Sequence, residues 1–536
     1  MALADTQREP GSSDYWPGDG FAAASPRVPG EIDVDGLLLL GISIAARGQT
    51  ARAAAILDRV ARERPDAAHP CGDLAGLLPR LTRAQVDSQY RACLRIAPED
   101  TRLTRAFADF LWAAGDSDGA IAALREVLRQ GPSAAATHRA MGLALAEHGH
   151  IADAIWHLEQ AVGSDAGSTE GWASLGRLLR TARRFRSALA AYDQALIRAP
   201  DDALIRLGRA EVLLQAGRWT EAWPDYEWRL RVAGNPPRPR SRQHPPLSSA
   251  EDLAGSTVLL THETGAGDTV QCLRYLRLLA ERGMRVLAQV PAPLMRLVRA
   301  MPGVAGVAVA GQEPPPHDLH CPFLSLPGVF ATTQATIPRP PYLTAEPALA
   351  AAWRQRLPVG DLRIGLVWAA RAHPGSAEPP REPGVADRRR SVALAALAPL
   401  SATPGRCFIS LQAGAAADQA RSPPAGMAVF DPMPDVADFA DTAAIIANLD
   451  LVVSVDTAVA HLAGAMGRPV FLLDRYDNCW RWLSGRADSP WYPSMTIFRQ
   501  ERMGDWTAPI ARAAAALDSL AAFHGLPHQN VSWMEA

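Results

Sequence analysis

Lysine is absent from this 536-residue sequence, so all 54 basic side chains are arginines. That absence excludes a Schiff-base lysine, a lysine general base and a G-x-x-x-x-G-K-[ST] phosphate loop. Cysteine is scarce: Cys71, Cys93, Cys272, Cys321, Cys407 and Cys479 lie far apart, and no C-x-x-C occurs. Scattered single cysteines in a chain of this length read as reduced thiols, not as a disulfide framework or a zinc site. Long apolar runs are missing as well. Leu37 to Ala46, the longest, spans about ten residues and includes Gly41, too short for a bilayer. Charge is nearly balanced at −2, which gives no reason to expect nucleic acid or an anionic membrane as the main partner. The first thirty residues carry Asp5, Glu9, Asp14 and Asp19 among Gly, Ser and Pro, without the charged-then-apolar pattern of a signal peptide. The expectation is a cytoplasmic protein with no stable membrane insertion.

What remains is ordinary globular composition, long enough for two to four domains at roughly 100–200 residues each. Residues 1–33 read as a disordered tail. Residues 34–233 are rich in Ala, Leu and Arg, without strand-like alternation, and read as helix after helix. Residues 234–256, beginning GNPPRPRSRQHPPLSS, form a Pro-rich linker. Beyond it, short β-rich runs (STVLLTH, RVLAQV, GVAVA, LRIGLVW, CFISLQ, LDLVVSV, PVFLL) alternate with helical stretches, the pattern of parallel α/β sheets. This part divides into 257–345 and 346–520, with a tail at 521–536.

The helical part has a period. Ala120, Ala154, Ala188 and Ala222 are 34 residues apart, as are Gly115 and Gly149, with Gly217 two periods on; Pro98, Pro132 and Pro200 keep the same register. The best copy reads W-x-x-L-G from Trp172 to Gly176, then Ala188, Tyr192, Ala195 and Pro200. This resembles the tetratricopeptide repeat, a 34-residue helix–turn–helix, in about six copies with 67–100 degenerate. Such solenoids bind extended peptides or partner proteins along a groove, or else dimerise or brace a neighbouring domain. In the last copy, Trp219, Trp223, Tyr226 and Trp228 read as a cap that docks the solenoid on the next domain.

Three stretches of the α/β part carry chemistry. In THETGAGDTVQC, a turn after the strand STVLL places Glu263, Gly265, Gly267, Asp268 and Gln271 at a strand's carboxyl end, where open α/β sheets bind ligands. Asp268 could also simply cap its own helix. In LDLVVSVDTAVAHLAGAMGRPV, the strand ends at Asp456-Thr457, and the helix behind it offers N–H groups, its dipole and the Thr457 hydroxyl to a diphosphate, unless Asp456 or Thr457 only caps that helix. In ADRRRSVAL, arginines including Arg390 could clamp phosphate oxygens or form a solvated face.

Taken in this order behind the repeats, residues 256–520 resemble the heptosyltransferase-like glycosyltransferase domain of two Rossmann-like halves (GT-B type), on GAGDTVQCLRYLRLLAERG, DLHCPFLSLP, IGLVW, DRRRS, SLQAG, DTAAIIANLDLVVSVDTAVAHLAGAMGRPV and RWLSGRADSPWYPSMTIFRQ. The architecture is similar to bacterial flagellin or protein glycosyltransferases with upstream repeats. The resemblance implies inverting, metal-independent transfer from a nucleotide sugar, with no other cofactor, to a protein or peptide acceptor such as flagellin, recruited by the repeats. Residues 257–345 would be the acceptor side and 346–520 the donor side. Asp268 would be the general base; Asp456, Thr457, Ala458 and His461 would hold the donor diphosphate, Arg390 would neutralise it, and Gln412 and Gly414 would line the donor cleft. The chain departs from the pattern after LVW, where Ala369-Ala370-Arg371 replaces Gly-Asn ahead of a longer loop. A scaffold with a vestigial sugar-nucleotide fold, or a lipopolysaccharide-type sugar transferase, are the alternatives, and homodimerisation stays open.

Lesser features read as structural. His317 and His320 lie on a short strand beside Cys321; Asp33-Val34-Asp35 lies ahead of the first repeat. Trp480, Trp482, Trp491 and Tyr492 either wall the cleft or pack a crossover back to the first half, and the helix Pro509 to Phe523 suits that crossover.

Overall fold

The computed structural model describes residues 101–113, 116–130, 135–147, 149–232, 253–360, 362–370 and 389–524, with isolated positions 87, 90, 91 and 94. The N-terminal tail, the repeats before residue 101, the linker up to residue 252, most of the loop 369–385 and the final twelve residues lie outside the described residues. The chain parts into two compact units, 1–107 and 108–536, and the second holds the later repeats and the whole α/β part.

Among the described residues from 101 on, eight helices alternate over the repeats: α1 (Thr101–Ala113), α2 (Ser117–Gln130), α3 (Ala135–Glu147), α4 (Ile151–Ser164), α5 (Thr169–Thr181), α6 (Phe185–Arg198), α7 (Ala203–Gln215) and α8 (Trp219–Tyr226). Both the odd and the even members start every 34 residues. The period has visible causes. Ala120, Ala154, Ala188 and Ala222 are all 0% exposed, so each second helix meets its neighbour through a small residue. Ser168 and Asp202 cap α5 and α7, accepting from Gly171 N at 3.1 Å and from Leu204 N at 2.9 Å. Gly176 and Gly208 form a notch for the Tyr192 ring, since a β-carbon at Gly208 would stand 2.6 Å from the Tyr192 hydroxyl.

Beyond the repeats, the described residues form two all-parallel sheets. The first runs β3-β2-β1-β4, from β1 (Thr257–Thr261), β2 (Arg285–Val290), β3 (Val304–Val309) and β4 (Leu319–Pro322). The second runs β10-β9-β8-β5-β6-β7, from β5 (Leu362–Val367), β6 (Arg406–Ser410), β7 (Val429–Phe430), β8 (Leu451–Val455), β9 (Val470–Asp474) and β10 (Met495–Arg499). The helices that matter for the site are α9 (Ala266–Cys272) after β1, α10 (Leu276–Glu281), α11 (Phe439–Ile446) before β8, and α12 (Ala458–Ala465) after β8. All seven strands expected from β-rich runs are present; β4 is the short strand of His320, and β7 and β10 are additional. A helical solenoid followed by two Rossmann-like parallel sheets is therefore the architecture.

Alternation along the strands of the second sheet separates two cores. Val452, Val470, Leu472 and Ile497 face a large core shared with the first sheet and with Trp219, Trp223 and Tyr226 of the last repeat. Leu451, Val453, Phe471, Leu473 and Phe498 face the opposite way. The C-terminal helix α13 (Thr507–His524) packs on this second face through Ile510, Ala513 and Leu517, so it does not cross back to the first half as its position suggested. Those three residues form one stripe at helical spacing, and the open face of the sheet just completed by β10 receives it directly. No described helix is long and apolar enough to cross a membrane.

Candidate active site

In both sheets strand order reverses at a single place. β1 has β2 on one side and β4 on the other; β5 lies between β8 and β6. Such reversals open a crevice at the carboxyl ends of the strands, where α/β proteins bind ligands. The 262–268 loop leaves β1 at the first reversal, and Asp456-Thr457 leaves β8 at the second.

Helices α9 and α12, which start from these two places, touch at Gly267. A β-carbon there would stand 2.8 Å from His461 Cδ2 and 3.2 Å from Ala458 Cα, so only glycine allows this approach. Asp268 sits one residue further on. Its Oδ2 accepts from the Thr264 hydroxyl at 2.5 Å and from Gly265 N at 3.1 Å, so it does cap its own helix. Its Oδ1 lies 2.6 Å from Arg481 Nη2. Burial alone would raise the Asp268 carboxyl, but the Arg481 charge and these donors outweigh it and hold it below the usual carboxylate range. Gln271 is buried and accepts from Arg481 Nε at 2.6 Å, so one guanidinium fixes both residues.

On the second sheet Thr457 occupies the N-cap position of α12, yet its side chain does not cap the helix. Its hydroxyl instead meets Ser454 Oγ at 3.0 Å. Ala458 opens the helix against Gly267. Arg390 donates from Nη1 to the Asp456 carbonyl at 3.0 Å, which brings the arginine run to the end of β8. His461 is buried, its Nδ1 2.9 Å from the Tyr492 hydroxyl and its ring 5.0 Å from that of Trp482. Burial lowers its pKa to about 4, so the imidazole is neutral at neutral pH. Gln412 ties the ends of β5 and β6 together: Oε1 accepts from Trp368 N and Ala369 N, and Nε2 donates to Ala369 O and Ala413 O. Exposed Gly414 follows it with φ +81°.

Glu263 turns away from this group towards the repeats. It accepts from Arg229 Nη2 at 3.1 Å and from Leu324 N at 3.2 Å; burial pushes its carboxyl up against the pull of Arg229. Arg229 also donates to Glu227 and to Ser325 Oγ, which itself donates to Glu227. Beside this cluster a pocket of about 370 Å³ opens between α8 and the end of β4, lined by Thr220, Trp223, Glu227, His320, Pro322 and Ser325. His320 Nε2 bonds Thr261 Oγ1 at 2.7 Å, a strand-to-strand contact.

Residues 475–492 join these pieces; sequence reasoning singled out their aromatics but missed the role of Arg481. Arg481 reaches Asp268, Trp480 packs edge-on against Trp223 and Tyr226, and Trp491 stacks on Trp219 at 5.0 Å. Arg274 on the first half donates to Trp491 O, and Tyr492 reaches His461 on the second. The expected packing role of these aromatics is what the structure shows, and the last repeat docks through them. Arg475 was also missed, whereas Arg389 belongs to the arginine run already singled out in ADRRRSVAL. Both face Asp477, at 3.7 Å and 3.2 Å. Near them, burial raises the pKa of Asp474, at the end of β9, to about 6, against the pull of Arg499. A clue was present: arginine in a buried, aromatic-rich stretch must find a carboxylate or carbonyl.

Residues 105–169 and 174–233 match the tetratricopeptide repeat family, and residues 436–505 match glycosyltransferase family 9 (heptosyltransferase). The chain carries tetratricopeptide repeats and a family 9 glycosyltransferase segment. That segment runs from α11 through α12 to β10, so it includes Asp456, Thr457, His461 and Arg481. Protein FlbA of Caulobacter vibrioides is 27% identical over 496 residues, covering 85% of this chain and 80% of that protein. Among solved structures, MamA is 16% identical over 30% of this chain and 92% of its own, with a TM-score of 0.28. YrrB, described as a TPR protein with an unusual peptide-binding site, is 15% identical over 33% of this chain and 92% of its own, also at 0.28.

Proposed function

We propose that this protein transfers a sugar from a nucleotide-sugar donor to a hydroxyl of a protein or peptide acceptor brought in by the repeats. The observation that carries this is the contact of α9 with α12 at Gly267, which sets the Asp268 carboxylate beside the Thr457–Ala458 helix start at facing strand ends. The donor diphosphate would lie on the α12 N-terminus, with the Thr457 hydroxyl as a donor and Arg390, Arg389 and Arg475 supplying positive charge. Asp456 and His461 shape this end, and Gln412 and Gly414 border it from β6. Glu263, Gly265 and Gln271 hold the acceptor-side loop, and the pocket beside α8 lies where an acceptor passing from the repeats would enter.

In the transfer, the acceptor oxygen attacks the anomeric carbon from the side opposite the diphosphate, and the carbon–oxygen bond to the diphosphate breaks. Configuration inverts. The proton passes from the acceptor hydroxyl to Asp268, while the arginines and helix N–H groups take up the charge on the departing diphosphate. A carboxylate held low is a weak base, but it stays ionised, and the hydroxyl becomes acidic only as its oxygen bonds to carbon. Arginine and helix dipole do the work on the diphosphate that a divalent metal does elsewhere, so the reading needs no metal.

Calorimetric titration with UDP, GDP, ADP and CMP sugars tests it, repeated on Thr457→Val and Arg390→Ala. One donor should bind, with binding lost or much weakened in both variants. Asp268→Ala should keep donor binding and lose transfer; full transfer in that variant removes the base. Failure of every donor to bind would favour the scaffold reading instead.

A further inference from the structure

The turns between paired repeat helices fall in register at positions 149, 183 and 217. Gly149 and Gly217 both have φ +78°, whereas Arg183 adopts φ +58°. A left-handed backbone disfavours any side chain, and it persists where surrounding contacts hold it. Arg183 has such contacts on the second sheet: Nη2 donates to the Tyr476 carbonyl at 2.7 Å, and the guanidinium lies 4.4 Å from the centre of the Tyr476 ring. One repeat further on, buried Gln215 donates from Nε2 to the Asn478 carbonyl at 2.7 Å. Two repeats thus hold neighbouring carbonyls of one turn, the turn that leaves β9.

That turn leads to both sides of the site. Asp477, between the two held residues, accepts from Arg389 and faces Arg475. Asn478 Nδ2 donates to the Leu483 carbonyl at 2.5 Å, and Leu483 itself sits at φ +49°. Leu483 closes the short 3₁₀ turn Trp480–Trp482, whose Arg481 pairs with Asp268. Docking does not require these contacts, because the stacked tryptophans already join repeat to domain and glycine would satisfy the 183 turn.

We propose that Arg183 and Gln215 are positioning residues for the transfer reaction. The repeats hold the 475–483 turn, and the turn sets Arg389 and Arg475 on the diphosphate side and Arg481 against Asp268. The proposal rests on the donor site at the α12 N-terminus.

Arg183→Gly separates positioning from folding, because it removes the contacts while relieving the backbone. In the full chain this variant should melt no lower than wild type. Amides of residues 475–483 should exchange faster, and inorganic pyrophosphate, a stand-in for the donor diphosphate, should bind roughly tenfold more weakly, as when an outer-shell support is lost at a metal site. Gln215→Leu, which keeps the volume, should act in the same direction. Unchanged exchange and pyrophosphate binding in both variants would overturn the positioning role and leave the donor site standing. Faster exchange across the whole chain with a lower Tm would make Arg183 a folding residue and overturn it too. A wild-type protein that binds neither pyrophosphate nor any nucleoside diphosphate removes the donor reading, and the role in transfer with it.

Discussion

Arg481 Nη2 stands 2.6 Å from Asp268 Oδ1, while its Nε donates to Gln271 on the same helix. Arg481 lies 213 residues further along the chain, on a turn held by the repeats, so the ionisation state of the Asp268 carboxylate depends on a remote segment. This pairing connects the three parts of the molecule chemically as well as by packing.

Arg481→Gln should therefore be costly. It leaves a partly buried carboxylate without its cation but with its Thr264 and Gly265 donors, which should destabilise by about 1–3 kcal/mol, less than for a fully buried pair. The pH dependence has a definite sign. In the wild type, Asp268 is held below its ordinary value, so its contribution to stability is present above that value and fades as pH falls through the lowered one. In the variant, burial dominates and the carboxyl moves up, so mild acidification should restore stability and any transfer should fail sooner on the acid side. Urea unfolding at neutral and mildly acidic pH reads this. Equal stability of variant and wild type at neutral pH would mean the pair contributes nothing.

Gly267→Ala tests the helix contact. The added carbon meets a backbone atom and an imidazole confined between Trp482 and Tyr492, so neither neighbour yields freely. Separating α9 from α12 should cost about 1–3 kcal/mol and weaken donor binding together with stability. A variant with wild-type Tm and wild-type donor affinity would show that the close approach is not needed.

Much of this was legible in the sequence. The 34-residue register of Ala120, Ala154, Ala188 and Ala222 records a packing constraint that each copy must meet separately, so it repeats. The strands were legible because buried parallel strands are unbroken runs of branched apolar residues. Asp268 and Thr457 were legible because they follow such strands, Thr457 almost at once and Asp268 after a short turn. Arg481, Arg475 and Arg183 were not. Their partners lie hundreds of residues away in two of the three cases, and local pattern carries no trace of such pairing. The direction of α13 was misread for a related reason: one apolar stripe says that a helix packs, but not on which sheet.

His461 should give the stability of the protein a pH slope. Its pKa is about 4 when folded against 6.5 unfolded, so its contribution is full above 6.5 and is lost as pH falls from 6.5 towards 4. Within that window the unfolded state holds the extra proton, and the slope approaches about 1.4 kcal/mol per pH unit. His461→Asn removes the titrating group, so the difference between wild-type and variant unfolding free energies should shrink steadily on acidification. A difference that stays constant across the window would show that the imidazole titrates as it does in the unfolded chain.

Trp219 bears on whether the repeats and the α/β part fold as one. It is 2% exposed, stacks on Trp491 at 5.0 Å and donates from Nε1 to Leu214 O at 2.9 Å. Trp219→Ala should cost about 3–5 kcal/mol, as for other buried tryptophans. The loss falls on the shared surface, so the effect should be on cooperativity as well as on midpoint. In wild type, helical signal from the repeats and near-ultraviolet signal from the buried tryptophans should be lost together, as expected for one core running through Trp219, Trp223 and the first sheet. In the variant the two signals should separate, with the near-ultraviolet signal lost first, because Trp491 and Trp480 no longer have a rigid partner. If both signals still coincide at a lower midpoint, the contact adds stability without coupling, and docking of the repeats must rest on Trp223, Tyr226 and the Arg229–Glu263 pair instead.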